Sequence, residues 1–188
     1  MTRPMVWLAA IGVAAAACVL TAVTPHQHLV YGTRAASLPF DLPLEVGGGA
    51  VTGRTFSASL PEVRLAKAIE TDEGTIEGDY VIVDLVAEAT GADPRAAFGR
   101  VELLVGARTY YAVSHIDGTL DDTKLHAGLP LRGSVVFEIA PDDLDAHATL
   151  RLVPDVEEGF DDRVVAELDL GAIEVSPMER VERAAWAS

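Results

Sequence analysis

DYVIVDLVAEAT, residues 79–90, is the stretch from which the fold is read. Val81, Val83, Leu85 and Ala87 recur at every second position, the period of a strand and not of a helix. The β-branched content suits a pleated surface. Asp84 and Glu88 fall on the opposite face, which is therefore expected to meet solvent.

The same period continues on both sides. Upstream, RTFSASL (54–60) and EVRLAKAI (62–69) alternate, with Pro61 between them expected at an edge or a strand break. Downstream, RVELLV (100–105) and RTYYAV (108–113) flank a short Gly106-Ala107 turn and read as a hairpin. Val135, Phe137 and Ile139 share a face in residues 133–140, as do Leu150 and Leu152 in 147–153. Val164, Ala166, Leu168 and Leu170 close the set in residues 163–170. Asp142-Asp143-Leu144-Asp145 reads as one helical turn between strands. Seven or eight short strands separated by Pro, Gly and Asp clusters predict an all-β, two-sheet sandwich over residues 50–175. Residues 176–188 read as a loose C-terminal tail, in which Trp186 has no assigned role.

Before the sandwich the character of the chain changes. Met5 to Thr24, MVWLAAIGVAAAACVLTAVT, carries no charge over twenty residues. As a helix it would be about 30 Å long, the thickness of a bilayer's hydrocarbon core. Met5, Trp7, Leu8, Ile11, Val13, Val19, Leu20 and Val23 are the residues expected to face lipid. Arg3 precedes the run and Pro25 ends it, so residues 1–25 read as a signal anchor with the N-terminus cytoplasmic and the rest extracytoplasmic. Two other fates stay open: cleavage near Ala22 to Pro25, and lipidation at Cys18 after Ala15-Ala16-Ala17. Residues 26–49 form a Pro- and Gly-containing linker, in which alternating Leu38, Phe40, Leu42 and Leu44 could pair as a strand.

Twenty-nine acids against fourteen bases give a net charge of −15. Phosphate binding needs a basic face, so nucleic acid is not an expected partner. Cys18 is the single cysteine, so no intrachain disulfide is available and the sandwich must rest on its core.

The order of segments resembles a known family. Gly53-Arg54-Thr55-Phe56 comes first, then Gly78-Asp79-Tyr80 leading into Val81-Ile82-Val83-Asp84, then Thr109-Tyr110-Tyr111. Gly128-Leu129-Pro130-Leu131-Arg132-Gly133 and Val135-Val136-Phe137-Glu138-Ile139 follow. Over about residues 50–172 this pattern resembles the bacterial, actinobacterial-style, membrane-anchored extracytoplasmic immunoglobulin-like domains of unknown function. The resemblance implies an immunoglobulin-like sandwich and an envelope address. It implies no reaction, because the family brings no catalytic residues to carry over.

The chemistry-bearing residues are few. Ser114, His115 and His147 supply the letters of a nucleophilic triad, but no Gly-x-Ser-x-Gly elbow accompanies them and a surface loop is the expected setting. His26 and His28 make two ligands, short of a metal site. Acids gather at Asp117, Asp121 and Asp122, at Asp142, Asp143 and Asp145, and at Asp155, Glu157, Glu158, Asp161 and Asp162. The last group has enough oxygens for a weak calcium site, although its order is not that of an EF-hand. Tyr110 and Tyr111 point to opposite faces of one strand, one expected in the core and one exposed as a partner contact. No cofactor and no catalytic residue is expected. The expected function is a non-enzymatic, single-pass membrane-anchored binding or adaptor protein at the cell envelope. Its partner would be another envelope protein or a second copy. A cation or small-ligand sensor using the acidic loops, and a secreted or lipidated form of the same domain, are the alternatives.

Overall fold

A computed structural model of the chain describes residues 41–91, 97–154 and 162–187. The anchor residues 5–24, Cys18, His26 and His28 lie outside the described residues. No helix among the described residues is long and apolar enough to cross a membrane.

Twelve strands are described: β1 (Asp41–Pro43), β2 (Val51–Thr52), β3 (Phe56–Thr71), β4 (Gly74–Ala89), β5 (Phe98–Val105), β6 (Arg108–Tyr111), β7 (Leu131–Glu138), β8 (His147–Pro154), β9 (Arg163–Asp169), β10 (Val175–Ser176), β11 (Glu179–Arg180) and β12 (Ala185–Trp186). They form two sheets. One runs β1-β9-β8-β5-β6; the other runs β10-β3-β4-β7-β12, with β2 and β11 also on β3. The facing sides interlock in one core. Val81, Val83, Leu85, Val135 and Phe137 come from one sheet and Val101, Leu103, Leu150, Leu152 and Val164 from the other. The chain is thus a two-sheet β-sandwich, as the alternation predicts. At about 25 cal/mol per Å² of apolar surface, burial of this kind is the dominant favourable term.

Three features differ from the sequence reading. Residues 54–60 and 62–69, read as separate strands, are one strand, β3, running through exposed Pro61. A register shift between Ser59 and Glu62 absorbs the proline, which could not donate to a regular ladder. The β3–β4 hairpin then extends to Thr71 and Gly74, where glycine takes φ 134° at the tip.

The second difference is the C-terminal segment. Residues 176–188 were expected as a loose tail, yet 175–187 act as a strap. Val175, Ser176, Glu179 and Arg180 pair in parallel with Leu65, Ala66, Ile69 and Glu70 on β3. Glu182 then exchanges hydrogen bonds with Ser134, and Ala185 and Trp186 pair with Arg132 and Leu131 on β7. Register shows what this crossing demands. Glu70 lies opposite Thr75 and Ser134 opposite Asp84, nine positions apart on β4. In a straight strand that is about 30 Å. Arg180 and Glu182 are two residues apart and span at most about 7 Å. The outer half of the hairpin must therefore bend over the sheet, and the second register shift, between Ala66 and Ala68, lies on that arm.

The third difference follows from the second. The outward face of β4, expected in solvent, is covered. Tyr80, Ile82, Ala66, Ile69, Val136, Ile116 and Val181 form a second, smaller core, and Asp84 is only 3% exposed. The Asp142–Asp145 turn is present as a 3-10 turn at Pro141–Asp143. The linker's alternation is realised in part: β1 pairs in parallel with β9, and Leu44 is buried.

Candidate functional site: a latched strap and the β6 edge

Beneath the strap lies a buried polar network. Asp84 accepts two hydrogen bonds of 3.0 Å from the Arg64 guanidinium and one of 2.6 Å from the Ser134 hydroxyl. Arg64 also donates to the Glu179 carboxylate at 2.7 Å and to the Arg180 carbonyl at 3.1 Å. Ser134 in turn accepts the Glu182 backbone N–H at 3.0 Å. Burial disfavours the Arg64 charge, but its bonds to Asp84 and Glu179 outweigh that and hold its pKa above the ordinary value. Hydrogen bonds from Ser176 and Arg64 hold Glu179 below the usual carboxylate range. Next to Glu182, Arg183 reaches Asp72 at the hairpin tip at 2.7 Å. Gly133 leaves room for the strap, since a Cβ there would lie 3.0 Å from the Ala184 Cα.

Each edge of the larger sheet is closed by short segments. Val46, β2, β10 and β11 cover β3. Val113, Glu182 and β12 cover β7. In the smaller sheet β6 is marginal, and among the described residues no strand pairs with its outer side. Tyr110 turns inward against the core and its hydroxyl donates to the Asp143 carboxylate. Tyr111 turns outward and is 56% exposed. The two tyrosines thus divide as their alternation requires.

Among the described residues the acidic groups do not converge. Asp143 is engaged by Tyr110 and by Arg108 at 2.9 Å, and those bonds lower its pKa. Asp121 is pushed up by burial, with one carboxylate oxygen unpartnered among the described residues. Of the calcium candidates, Asp155, Glu157, Glu158 and Asp161 lie outside the described residues; Asp162 accepts the Arg54 backbone N–H at 3.2 Å. No group of three His, Cys, Asp or Glu among the described residues is placed to hold a metal.

Nor do the triad letters meet. His115, with Asp117, Asp72 and Arg183, lines a pocket of about 170 Å³ under the hairpin tip. His147 opens β8 instead and faces Asp169 at 3.7 Å. Alternation could not reveal Arg64, Ser134 or the strap. One signal was present: Tyr80 and Ile82 share their face with Asp84, which is unlike a solvated surface.

No family model matches the sequence, and no curated protein matches it. Among solved structures the chain is similar to an uncharacterized β-sandwich protein from Clostridium difficile 630. Identity is 9%, coverage is 68% of this chain and 94% of that one, and the TM-score is 0.45.

Proposed function

We propose that the chain is a non-enzymatic binding or adaptor protein. Residues 5–24 anchor it in the cell membrane, and an immunoglobulin-like sandwich is presented on the extracytoplasmic side. The anchor is supported by the uncharged twenty-residue run and its flanks. The binding role is supported by one contrast among the described residues: short segments pair along β3 and β7 of the larger sheet, while no strand pairs with the outer side of β6, beside the exposed Tyr111 ring. An open edge can add a strand from a partner, with an aromatic side chain supplying the anchor contact. The net charge of −15 favours a neutral or basic partner surface and opposes nucleic acid.

The test uses full-length protein in its native membrane, with a photo-crosslinking residue at Tyr111 and, separately, at exposed His147. A single adduct of fixed mass from position 111 alone is expected, and Tyr111→Ala should weaken co-purification of the same partner without changing the melting temperature. Equal or absent adducts at both positions would sink the reading.

A further inference from the structure

The short segments that cover β3 leave a gap, and it lies on the flank of the sandwich opposite β6. β1 pairs with β9 from Arg163 to Val165, and the Leu44 N–H donates to the Val165 carbonyl. The chain then crosses to the other sheet, where Val46 bridges Leu60 and the Gly47 N–H donates to the Leu60 carbonyl. A second crossing follows β9, where the turn Leu170–Ala172 leads to Val175, which pairs with Leu65. Between these crossings, Pro61 to Arg64 on β3 and Ala166 to Asp169 on β9 have no strand on their outer edges among the described residues. Both sheets lose their edge cover along the same seam.

A groove of about 270 Å³ opens there. Its floor is Val63 and Leu168, members of the main core that are 6% and 4% exposed. Val46, Pro61 and Ile173 wall it, and Val46 leaves half of its surface in water. The charged residues of the groove are Glu62, Glu167 and Asp169, spaced along the rim, with no lysine or arginine among them. Elsewhere several carboxylates are matched: Asp79 by Lys67, Asp143 by Arg108 and Asp72 by Arg183. Here they are not. Glu167 accepts the Thr149 hydroxyl at 3.0 Å, which leaves its charge uncompensated. Glu62 has no hydrogen-bond or ion-pair partner among the described residues. Asp169 faces the His147 imidazole at 3.7 Å.

The occupant follows from that pairing of apolar floor and acidic rim. Four residues of strand span about 13 Å, so the seam suits a short extended segment. An aliphatic side chain gains by leaving water for the floor, and lysine or arginine on either side of it matches the rim charges. We infer that this seam is a docking groove for an extended basic segment of another protein. One aliphatic side chain of that segment enters against Val63 and Leu168, and its basic neighbours meet Glu62, Glu167 and Asp169. A second copy is a poor occupant, because it brings a net charge of −15 of its own. The groove lies at the far edge of the smaller sheet from Tyr111, so this inference stands apart from the role given to β6.

The test uses the full chain in nonionic detergent and the peptides Lys-Thr-Z-Thr-Lys, with Leu, Ile, Val or Phe at Z. In an extended backbone both lysines share the face of Z. Each peptide carries a neutral dye, and anisotropy is read against detergent alone. Saturable binding is expected for at least one peptide, weakened by added sodium chloride. Alanine at Z should weaken it roughly tenfold or more, and glutamate in place of both lysines should abolish it. Glu62→Lys should also weaken it roughly tenfold, at unchanged melting temperature, whereas Asp122→Lys, the same charge change on an exposed acid of another flank, should not. A photo-crosslinking residue at position 46 should capture the bound peptide. Failure of all four peptides overturns the inference, as does equal loss from Glu62→Lys and Asp122→Lys, which would mean general charge attraction. Indifference to alanine at Z overturns the apolar floor and with it the groove. Capture from position 111 in place of 46 overturns this groove and leaves the reading of the β6 edge standing.

Discussion

Replacing Arg64 by methionine strands the Asp84 carboxylate under the strap with the Ser134 hydroxyl as its remaining partner from the network. Removing one member of a buried charged pair costs about 3 to 5 kcal/mol, because the other charge stays desolvated. Arg64→Met should therefore lower the denaturant midpoint by an amount equivalent to about 3 kcal/mol at unchanged m-value; a loss within experimental error would show that the network is not buried in solution. Gly133→Ala places a methyl 3.0 Å from the Ala184 Cα and should cost about 1 to 3 kcal/mol, unless the strap yields. Carboxylates supply a pH signature. Asp41, held low first by its hydrogen bond from Arg163, and Glu179, held low by Ser176 and Arg64, have folded pKa values below their unfolded ones. Their stabilisation is present above about pH 4 and is lost as pH falls through the folded values. Asp121 has the opposite sign, since burial raises its folded pKa and penalises its ionised form at neutral pH. Asp121→Asn should raise the melting temperature at pH 7 and confer no advantage near pH 3, as thermal scans across that range can check.

At the scale of elements the strap is the decisive one. Its buried apolar anchor is Val181, while Val175, Met178 and Trp186 stay exposed, so it is held mainly by backbone pairing and ion pairs. Deleting residues 174–188 should bare β3 from Leu65 to Glu70 and β7 from Leu131 to Ser134, and uncover Tyr80 and Ile82. Size-exclusion chromatography of the truncated chain should then show concentration-dependent association that the intact chain lacks. A truncated chain that stays monomeric would mean that the hairpin arm alone protects those edges. The same element marks the limit of what sequence discloses. Strands such as β4, β8 and β9 announce themselves because one side chain in two must enter the core. Two-residue strands have no period to detect, and the hairpin tip, Glu70 to Gly74, contains no apolar residue to mark its pairing. The Asp84 site was illegible for a related reason: its partners lie on β3, β7 and the strap, up to 116 positions apart in the case of Arg64 and Arg180. Tyr110 and Tyr111, adjacent on one strand, needed only alternation.

For the whole molecule, the absence of any cysteine other than Cys18 leaves the sandwich without covalent staples. Its melting temperature should be unchanged by a reducing agent, and a drop in calorimetry would point to a cross-link between chains through Cys18. The charge of −15 implies mutual repulsion between copies, and salt should therefore raise stability modestly, as the same scans with added sodium chloride would register. The strap also carries a consequence for biosynthesis. Residues 175–187 come after every strand they pair with, so translation delivers the strap after the strands it closes. Until it arrives, the β3–β4 hairpin is complete but its outer arm, Leu65 to Glu70, lacks its flanking partners, and contacts made across such sequence separations form slowly. The period of greatest hazard for this protein is then the interval between emergence of Glu138 and emergence of Trp186, and a chaperone that shields strand edges would be needed only for that interval.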